Sequence, residues 1–126
     1  MSLLHRVERL VRKFDYVYTH NDGPWVYHMF GNPIPFSGSD YFPKGRFVFH
    51  RPLEQIPEIE NTLLSQLRSR KIKVFKYAKK QLAGEEGPAI IVYARNNDRE
   101  QVRTTLDSIG ITDYEWRHGN PTRFDR

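Results

Sequence analysis

The sequence predicts an α+β domain in which an antiparallel sheet carries its helices on one face. Short segments that alternate apolar and polar residues interleave with segments whose apolar residues recur every three or four positions. From residue 45 onward these segments follow the order β-α-β-β-α-β, the split βαβ arrangement, and a helix and a strand precede them. The 126 residues suit a single domain, with an N-terminal part over residues 1–44 and a core over residues 45–124.

The N-terminal part is predicted to hold a helix, a strand and an irregular loop. Apolar residues at helical spacing predict a helix over residues 3–14, and residues 15–24 then break the pattern. The aromatic segment Trp25–Phe30 predicts a strand. Residues 31–44 contain three Pro and two Gly, and they predict a long irregular loop of a length that often serves a function.

Four strands are predicted for the core. Gly45–His50 and Ala89–Ala94 are rich in β-branched and aromatic residues, and residues 71–77 show the most regular alternation of all. Residues 114–117 predict a last, short strand. A Gly-Glu-Glu-Gly segment at residues 84–87 predicts the turn between the strands at residues 71–77 and 89–94.

Two helices are predicted to cover one face of this sheet. Ile59, Leu63 and Leu67 form one stripe of the first helix, which has a proline near its first turn. Asp98 predicts the N-cap of the second helix. Gly110 predicts its end, because glycine adopts the left-handed conformation that closes many helices.

Composition narrows the function without naming it. The chain has no cysteine, which excludes disulfides and thiolate metal sites, and its five histidines lack metal-ligand spacing. No metal site is therefore predicted. No signal-peptide pattern and no apolar stretch long enough to cross a membrane is evident, so we expect a cytoplasmic protein.

The positive charge is concentrated in one part of the chain, which has a formal net charge of +5. Residues 68–80 carry seven Lys and Arg side chains and no acidic residue. Lysines on an edge strand discourage aggregation, and a solvated surface of this kind explains the run. A basic surface also attracts phosphate or nucleic acid. Composition alone fits both interpretations.

Strand alternation predicts which side chains share the sheet face opposite the helices. Successive strand residues point to opposite faces, so burying the more apolar set of each strand determines the other set. Placing Ile72 and Val74 in the core, and treating the other strands in the same way, leaves an open face that is basic and aromatic. Lysines crowded together on such a face favour a neutral form that can act as a base. The predicted members of the face are Arg46, His50, Lys71, Lys73, Phe75, Tyr77, Tyr93 and Arg117.

The core resembles that of the bacterial secreted phosphothreonine lyases. The resemblance lies in residues 46–51 (RFVFHR), 54–57 (EQIP), 71–74 (KIKV) and 91–93 (IVY). Residues 45–124 also look like the eukaryotic phosphothreonine-lyase-domain proteins, to which a cap-binding-protein-like α+β fold is ascribed. That fold agrees with the predicted order of elements.

The resemblance implies β-elimination of phosphate from a phosphorylated peptide, without metal or cofactor. Lys73 resembles the base that removes the Cα proton. His50 is the candidate acid, although the position of the family's histidine falls two residues earlier, on Val48. Tyr93 resembles a tyrosine that orients the substrate. The expected phosphate-binding residues, some from the resemblance and some from the predicted face, are Arg46, Lys71, Arg117 and Arg123.

Nucleic acid is the alternative partner. Residues 44–49 (KGRFVF) are similar to the RNA-recognition signature found on ferredoxin-like sheets. On the predicted open face, Phe75, Tyr77 and Tyr93 would stack on the bases of single-stranded RNA. The sequence does not indicate an oligomeric state.

Overall fold

The computed structural model describes residues 17–30, 45–80 and 87–118. Three predicted elements lie outside the described residues: the helix over residues 3–14, the loop over residues 31–44 and, except for its last residue, the turn at residues 84–87. A short 3₁₀ turn, Leu53–Gln55, precedes the first described helix. The strands are β1 (Val17–Asp22), β2 (Trp25–Phe30), β3 (Gly45–His50), β4 (Val74–Ala78), β5 (Ala89–Ala94) and β6 (Glu115–His118), and the helices are α1 (Ile56–Arg68) and α2 (Arg99–Ser108).

The six strands form one sheet in the order β1-β2-β4-β5-β3-β6. Every neighbouring pair is antiparallel. The predicted β-α-β-β-α-β core contributes four strands of this sheet, β3, β4, β5 and β6. The other two strands, β1 and β2, extend the sheet beyond β4. The predicted fold class, α+β with an antiparallel sheet and its helices on one face, is confirmed.

The hairpin formed by β1 and β2 corrects the prediction that residues 15–24 form a break. Gly23 and Pro24 make the two-residue turn between the strands, and Gly23 has a positive φ of 57°. Tight hairpin turns require a positive φ at their first central residue, which glycine adopts without strain. The register from Val17↔Phe30 to Asp22↔Trp25 then follows from the turn.

The helices pack on the face that carries the aromatic residues of β3. Phe47 and Phe49 are each 1% exposed and lie beneath α1 and α2. At roughly 2–3 kcal/mol for each large apolar side chain removed from water, this cluster is the main source of stability on the helix side. Its other members include Leu63, Leu67, Phe75, Ile90, Val92, Val102 and Leu106.

The two ends of α2 differ in how their backbone groups are satisfied. Asp98 occupies the N-cap position as predicted, but its side chain makes no capping hydrogen bond. At the other end Gly110 adopts a φ of 85°. Its N–H donates to the Asp107 carbonyl at 3.1 Å, and the Ile111 N–H donates to the Leu106 carbonyl at 2.9 Å. These two bonds are the Schellman arrangement that closes a helix.

The alternation predicted for residues 71–77 is wrong in phase. Ile72 and Phe75 both belong to the cluster beneath the helices. Two residues three positions apart point to opposite faces of a regular strand, so Ile72 and Phe75 cannot belong to the same regular strand. The strand begins only at Val74, which lies on the opposite face with Met29. Because Phe75 fills more apolar space beneath α1 than Val74 would, its burial sets the phase of β4.

The face opposite the helices is not open as predicted. All six residues of β5 are buried, including the three that point away from the helices. We call this side of the sheet the second face. It holds a second apolar cluster, whose buried members are Trp25, Tyr27, Met29, Val48, Val74, Ala78, Ala89, Ile91 and Tyr93.

Candidate functional site

One row of side chains crosses β6, β3 and β5 on the second face. Arg46 pairs in register with Arg117 on one side and with Tyr93 on the other. Directly opposed residues of an antiparallel pair point to the same face, with their Cβ atoms roughly 4.5–5.5 Å apart. The two arginines therefore leave the sheet side by side, and Tyr93 lies beyond Arg46. We call Arg46, Arg117 and Tyr93 the arginine row.

The arginine row combines buried and accessible donors. Arg46 is half-buried, and its Nε and Nη1 atoms are buried. Arg117 is half-buried too, and its Nη2 donates to a carboxylate oxygen of Glu115 at 3.3 Å. Tyr93 is only 1% exposed. Two planar guanidinium groups at this spacing can chelate a phosphate or a carboxylate, because each presents a fork of N–H donors.

His50 lies on the same face but at the far end of β3. Its register partner is Ala89, whereas that of Arg46 is Tyr93. At a rise of about 3.3 Å per residue, roughly 13 Å of strand separates His50 from Arg46.

The surroundings of His50 are occupied by an ion pair. Arg51 donates from Nη1 to Oδ2 of Asp113 at 2.8 Å and from Nη2 to Oδ1 at 2.9 Å. This bidentate contact lowers the pKa of Asp113, and the proximity of His50 adds a smaller effect in the same direction. The neighbourhood of His50 therefore already contains a carboxylate.

Lys71 and Lys73 precede β4 and are not part of its ladder. The ammonium group of Lys73 donates to Oδ2 of Asp98 at 3.4 Å, and its side chain is 60% exposed. The next residue, Val74, is level with Tyr93, at the end of the sheet opposite His50. The structure thus does not bring the predicted base and the predicted acid to one reaction centre.

Phe75 and Tyr77 point towards the helices, which contradicts their predicted place on the ligand face. Phe75 is fully buried, and Tyr77 packs against the same cluster. Burial raises the pKa of Tyr77, and a hydrogen bond to Glu60 raises it further. Stacking of nucleic acid bases on these two rings is excluded while α1 covers them. Arg123, the remaining predicted site residue, lies outside the described residues.

Lys76 is a feature that the sequence reasoning missed. It is 1% exposed on the second face, where its ammonium lies 4.3 Å from the ring centroid of Trp25 and 5.6 Å from that of Tyr93. It also donates to the Tyr27 hydroxyl at 3.1 Å. Lys76 belongs to the basic run of residues 68–80, which looks like solvated charge, so the sequence gives no signal that this lysine is buried.

A second missed feature connects the β1–β2 hairpin to α1. His28 on β2 is 5% exposed, and both of its ring nitrogens are hydrogen-bonded. Nδ1 lies 2.8 Å from the Thr19 hydroxyl, and Nε2 lies 2.7 Å from Oε2 of Glu60. The Gly23-Pro24 turn signal would have placed Thr19 opposite His28. We call Thr19, His28 and Glu60 the histidine network.

Comparison with models of known protein families and with curated proteins found no match to this chain. The likeness to phosphothreonine lyases therefore stays a prediction from the sequence. Neither α1 nor α2 is long and apolar enough to cross a membrane. Within residues 17–30, 45–80 and 87–118, no three His, Asp or Glu side chains cluster closely enough to hold a metal ion.

Proposed function

We propose that the chain binds a phosphate-bearing ligand through the arginine row. The observation that carries the proposal is the direct cross-strand pairing of Arg46 with Arg117. Like charges directly opposite each other on a sheet destabilise it. A doubly charged phosphate between the two guanidinium groups replaces that repulsion with charge-assisted hydrogen bonds.

Burial of part of Arg46 supports tight binding at this row. Its Nε and Nη1 atoms are shielded from solvent, and charges interact more strongly where water is excluded. Glu115 competes for Arg117, since the two side chains already form a 3.3 Å contact. Phosphate therefore has to displace Glu115 from Arg117.

A phosphorylated peptide is the ligand class that we propose, following the resemblance to phosphothreonine lyases. We do not extend the proposal to β-elimination, because Lys73 pairs with Asp98 and His50 lies at the other end of the sheet. Binding of RNA by base stacking is not favoured either, since Phe75 and Tyr77 face α1.

The test compares a phosphothreonine peptide with its unphosphorylated twin by fluorescence anisotropy. Arg46→Gln and Arg117→Gln should each weaken binding of the phosphopeptide about tenfold or more, because each removes a charge-assisted hydrogen bond worth about 1.5–3 kcal/mol. Arg68→Gln is the matched control, since Arg68 is exposed at the end of α1 and carries the same charge. Glu115→Gln should strengthen binding by releasing Arg117.

Three outcomes would overturn this proposal. Equal affinity for both peptides would exclude recognition of phosphate, and equal losses in Arg68→Gln and Arg46→Gln would leave only a net-charge effect. Salt-sensitive binding of single-stranded RNA that exceeds binding of the phosphopeptide would favour nucleic acid. Mass spectrometry of the incubated peptide adds an independent readout, since loss of the whole phosphoric acid unit would show elimination.

A further inference from the structure

The histidine network lies on the helix side of the hairpin, away from the arginine row. Thr19 and His28 are cross-strand partners on β1 and β2, and Glu60 reaches them from α1. Thr19 is exposed, whereas the His28 ring is enclosed between the strands and the helix, with Phe75 at 5.1 Å. An exposed threonine is thus hydrogen-bonded through its hydroxyl to a shielded imidazole.

The donors and acceptors of this network can be assigned from chemistry. An ionised carboxylate only accepts hydrogen bonds, so Nε2 of neutral His28 carries the proton and donates it to Glu60. Nδ1 then has a lone pair and accepts a hydrogen bond from the Thr19 hydroxyl. Tyr77 contributes a further hydrogen bond to Glu60, which helps to fix the carboxylate in place.

We propose that Thr19 is a nucleophile for acyl transfer, with His28 as its general base and Glu60 as the residue that positions His28. A hydroxyl bonded to an imidazole that a carboxylate orients is the arrangement that activates nucleophilic serine and threonine residues. The ring nitrogens are used in the reverse order from the serine proteases, but each group has the same role.

Acyl transfer also needs a hydrogen-bond donor for the oxyanion and a path by which the substrate reaches Thr19. Thr19 lies on β1, an outer strand of the described sheet, and alternate amide groups of an edge strand point away from the ladder. An outward-pointing amide beside Thr19 would donate to the oxyanion that forms during acyl transfer. The class of substrate is an activated ester that approaches along β1, whose residues 19–22 are exposed.

The proposed reaction balances without any co-reactant other than water. The Thr19 Oγ1 attacks the ester carbonyl carbon while its proton passes to Nδ1 of His28. The bond to the leaving oxygen breaks, and His28 returns the proton to that oxygen, which leaves an acyl group on Thr19. Water then attacks the acyl carbon and loses a proton to His28. The bond to Thr19 Oγ1 breaks, His28 passes the proton to that oxygen, and the carboxylic acid leaves.

Labelling by a fluorophosphonate probe tests the nucleophile, because the probe forms a P–O bond with an activated hydroxyl and releases fluoride. We expect mass spectrometry of the full chain and of its peptides to place the adduct on Thr19. Thr19→Val should abolish it, and Thr19→Ser should retain it. Thr62→Ala is the matched control, since the Thr62 hydroxyl is bonded only to a carbonyl of its own helix in the described contacts.

Glu60→Gln tests the positioning role separately. The side-chain amide that this substitution introduces can donate to Nε2, which moves the imidazole proton to Nδ1 and removes the acceptor for Thr19. Labelling should fall at least about 100-fold, as expected for a wrong tautomer. Nitrogen-15 NMR should show His28 protonated on Nε2 in the original protein and on Nδ1 in the variant.

A network that only holds the hairpin to α1 would behave differently. Its variants would lower the melting temperature, and neither the original protein nor Thr19→Ser would carry an adduct at Thr19. That result, or labelling that is unchanged in Thr19→Val, would overturn the proposal. Phosphopeptide binding by the arginine row is measured independently and does not decide it.

Discussion

The two faces of the sheet are both buried, but they are built from different side chains. The helix side is an apolar cluster, in which Phe47, Phe49 and Phe75 meet the leucines of α1. The second face has a smaller cluster of buried apolar residues, and it also encloses Lys76 and part of Arg46. A charge is buried at lower cost where aromatic rings and hydroxyl groups surround it. Apart from the histidine network, the helix side is therefore packed with apolar side chains, whereas the second face holds charge in place.

Phe75 and Lys76 allow the sharpest comparison, because they are consecutive residues on opposite faces and both are fully buried. Phe75→Ala should give the largest effect. It leaves a cavity beneath α1, and we expect the free energy of unfolding to fall by about 4 kcal/mol. Urea denaturation followed by tryptophan fluorescence measures it. A loss below about 1 kcal/mol would mean that α1 does not pack on β4 as described.

Lys76→Ala should destabilise the fold by about 3 kcal/mol in the same assay, through the cavity and the lost contacts with Trp25 and Tyr27. Lys79→Ala is the control, because Lys79 belongs to the same basic run but is exposed, and it should change stability by less than about 0.5 kcal/mol. Lys76→Met, which restores most of the volume, should recover part of the loss. Equal losses of stability in Lys76→Ala and Lys79→Ala would show that Lys76 is not buried as described.

The smallest effect concerns the ion pair of Arg51 and Asp113 beside the Phe49 ring. Because the pKa of Asp113 is lowered in the folded state, the pair contributes stability above the unfolded value, near 3.8, and loses it as the pH falls below that value. Its contribution is about 0.5 kcal/mol, since the Asp113 side chain is 60% exposed.

Arg51→Gln should therefore be less stable than the original protein at pH 6 and equally stable near pH 2. Thermal unfolding of both proteins across this pH range measures the difference. A difference in stability that does not change with pH would show that Arg51 acts through packing on Phe49, whose ring lies 5.0 Å away, and not through the carboxylate.

Most of the core could be predicted from periodicity because its elements have strong and separate patterns. The stripe of Leu63 and Leu67 predicts α1, and Gly110 closes α2 where expected. The phase of β4 could not be predicted in this way, since Val74, Phe75 and Tyr77 all suit a buried face. Which of them faces the helices depends on the space beneath α1, and that is a tertiary property.

The candidate site was predictable in part for the same reason. Arg46, Tyr93 and Arg117 share a face because β3, β5 and β6 keep regular alternation throughout. Lys73 does not join them, because it precedes β4, shares the phase of Phe75 and Tyr77, and donates to Asp98. Thr19 and His28 required the hairpin register, which depends on two turn residues and not on any apolar pattern.

The strand order has a consequence for how the chain reaches this structure. β3 lies between β5 and β6, and both of these partners come later in the sequence. During synthesis Phe47 and Phe49 therefore emerge from the ribosome long before their neighbours exist. Of the described ladders, the β1–β2 hairpin alone joins segments separated by two residues. Such a chain cannot complete its sheet until the last strand is made, so we expect folding to be slow and late. Until then β3 is unpaired and has to be kept from aggregating.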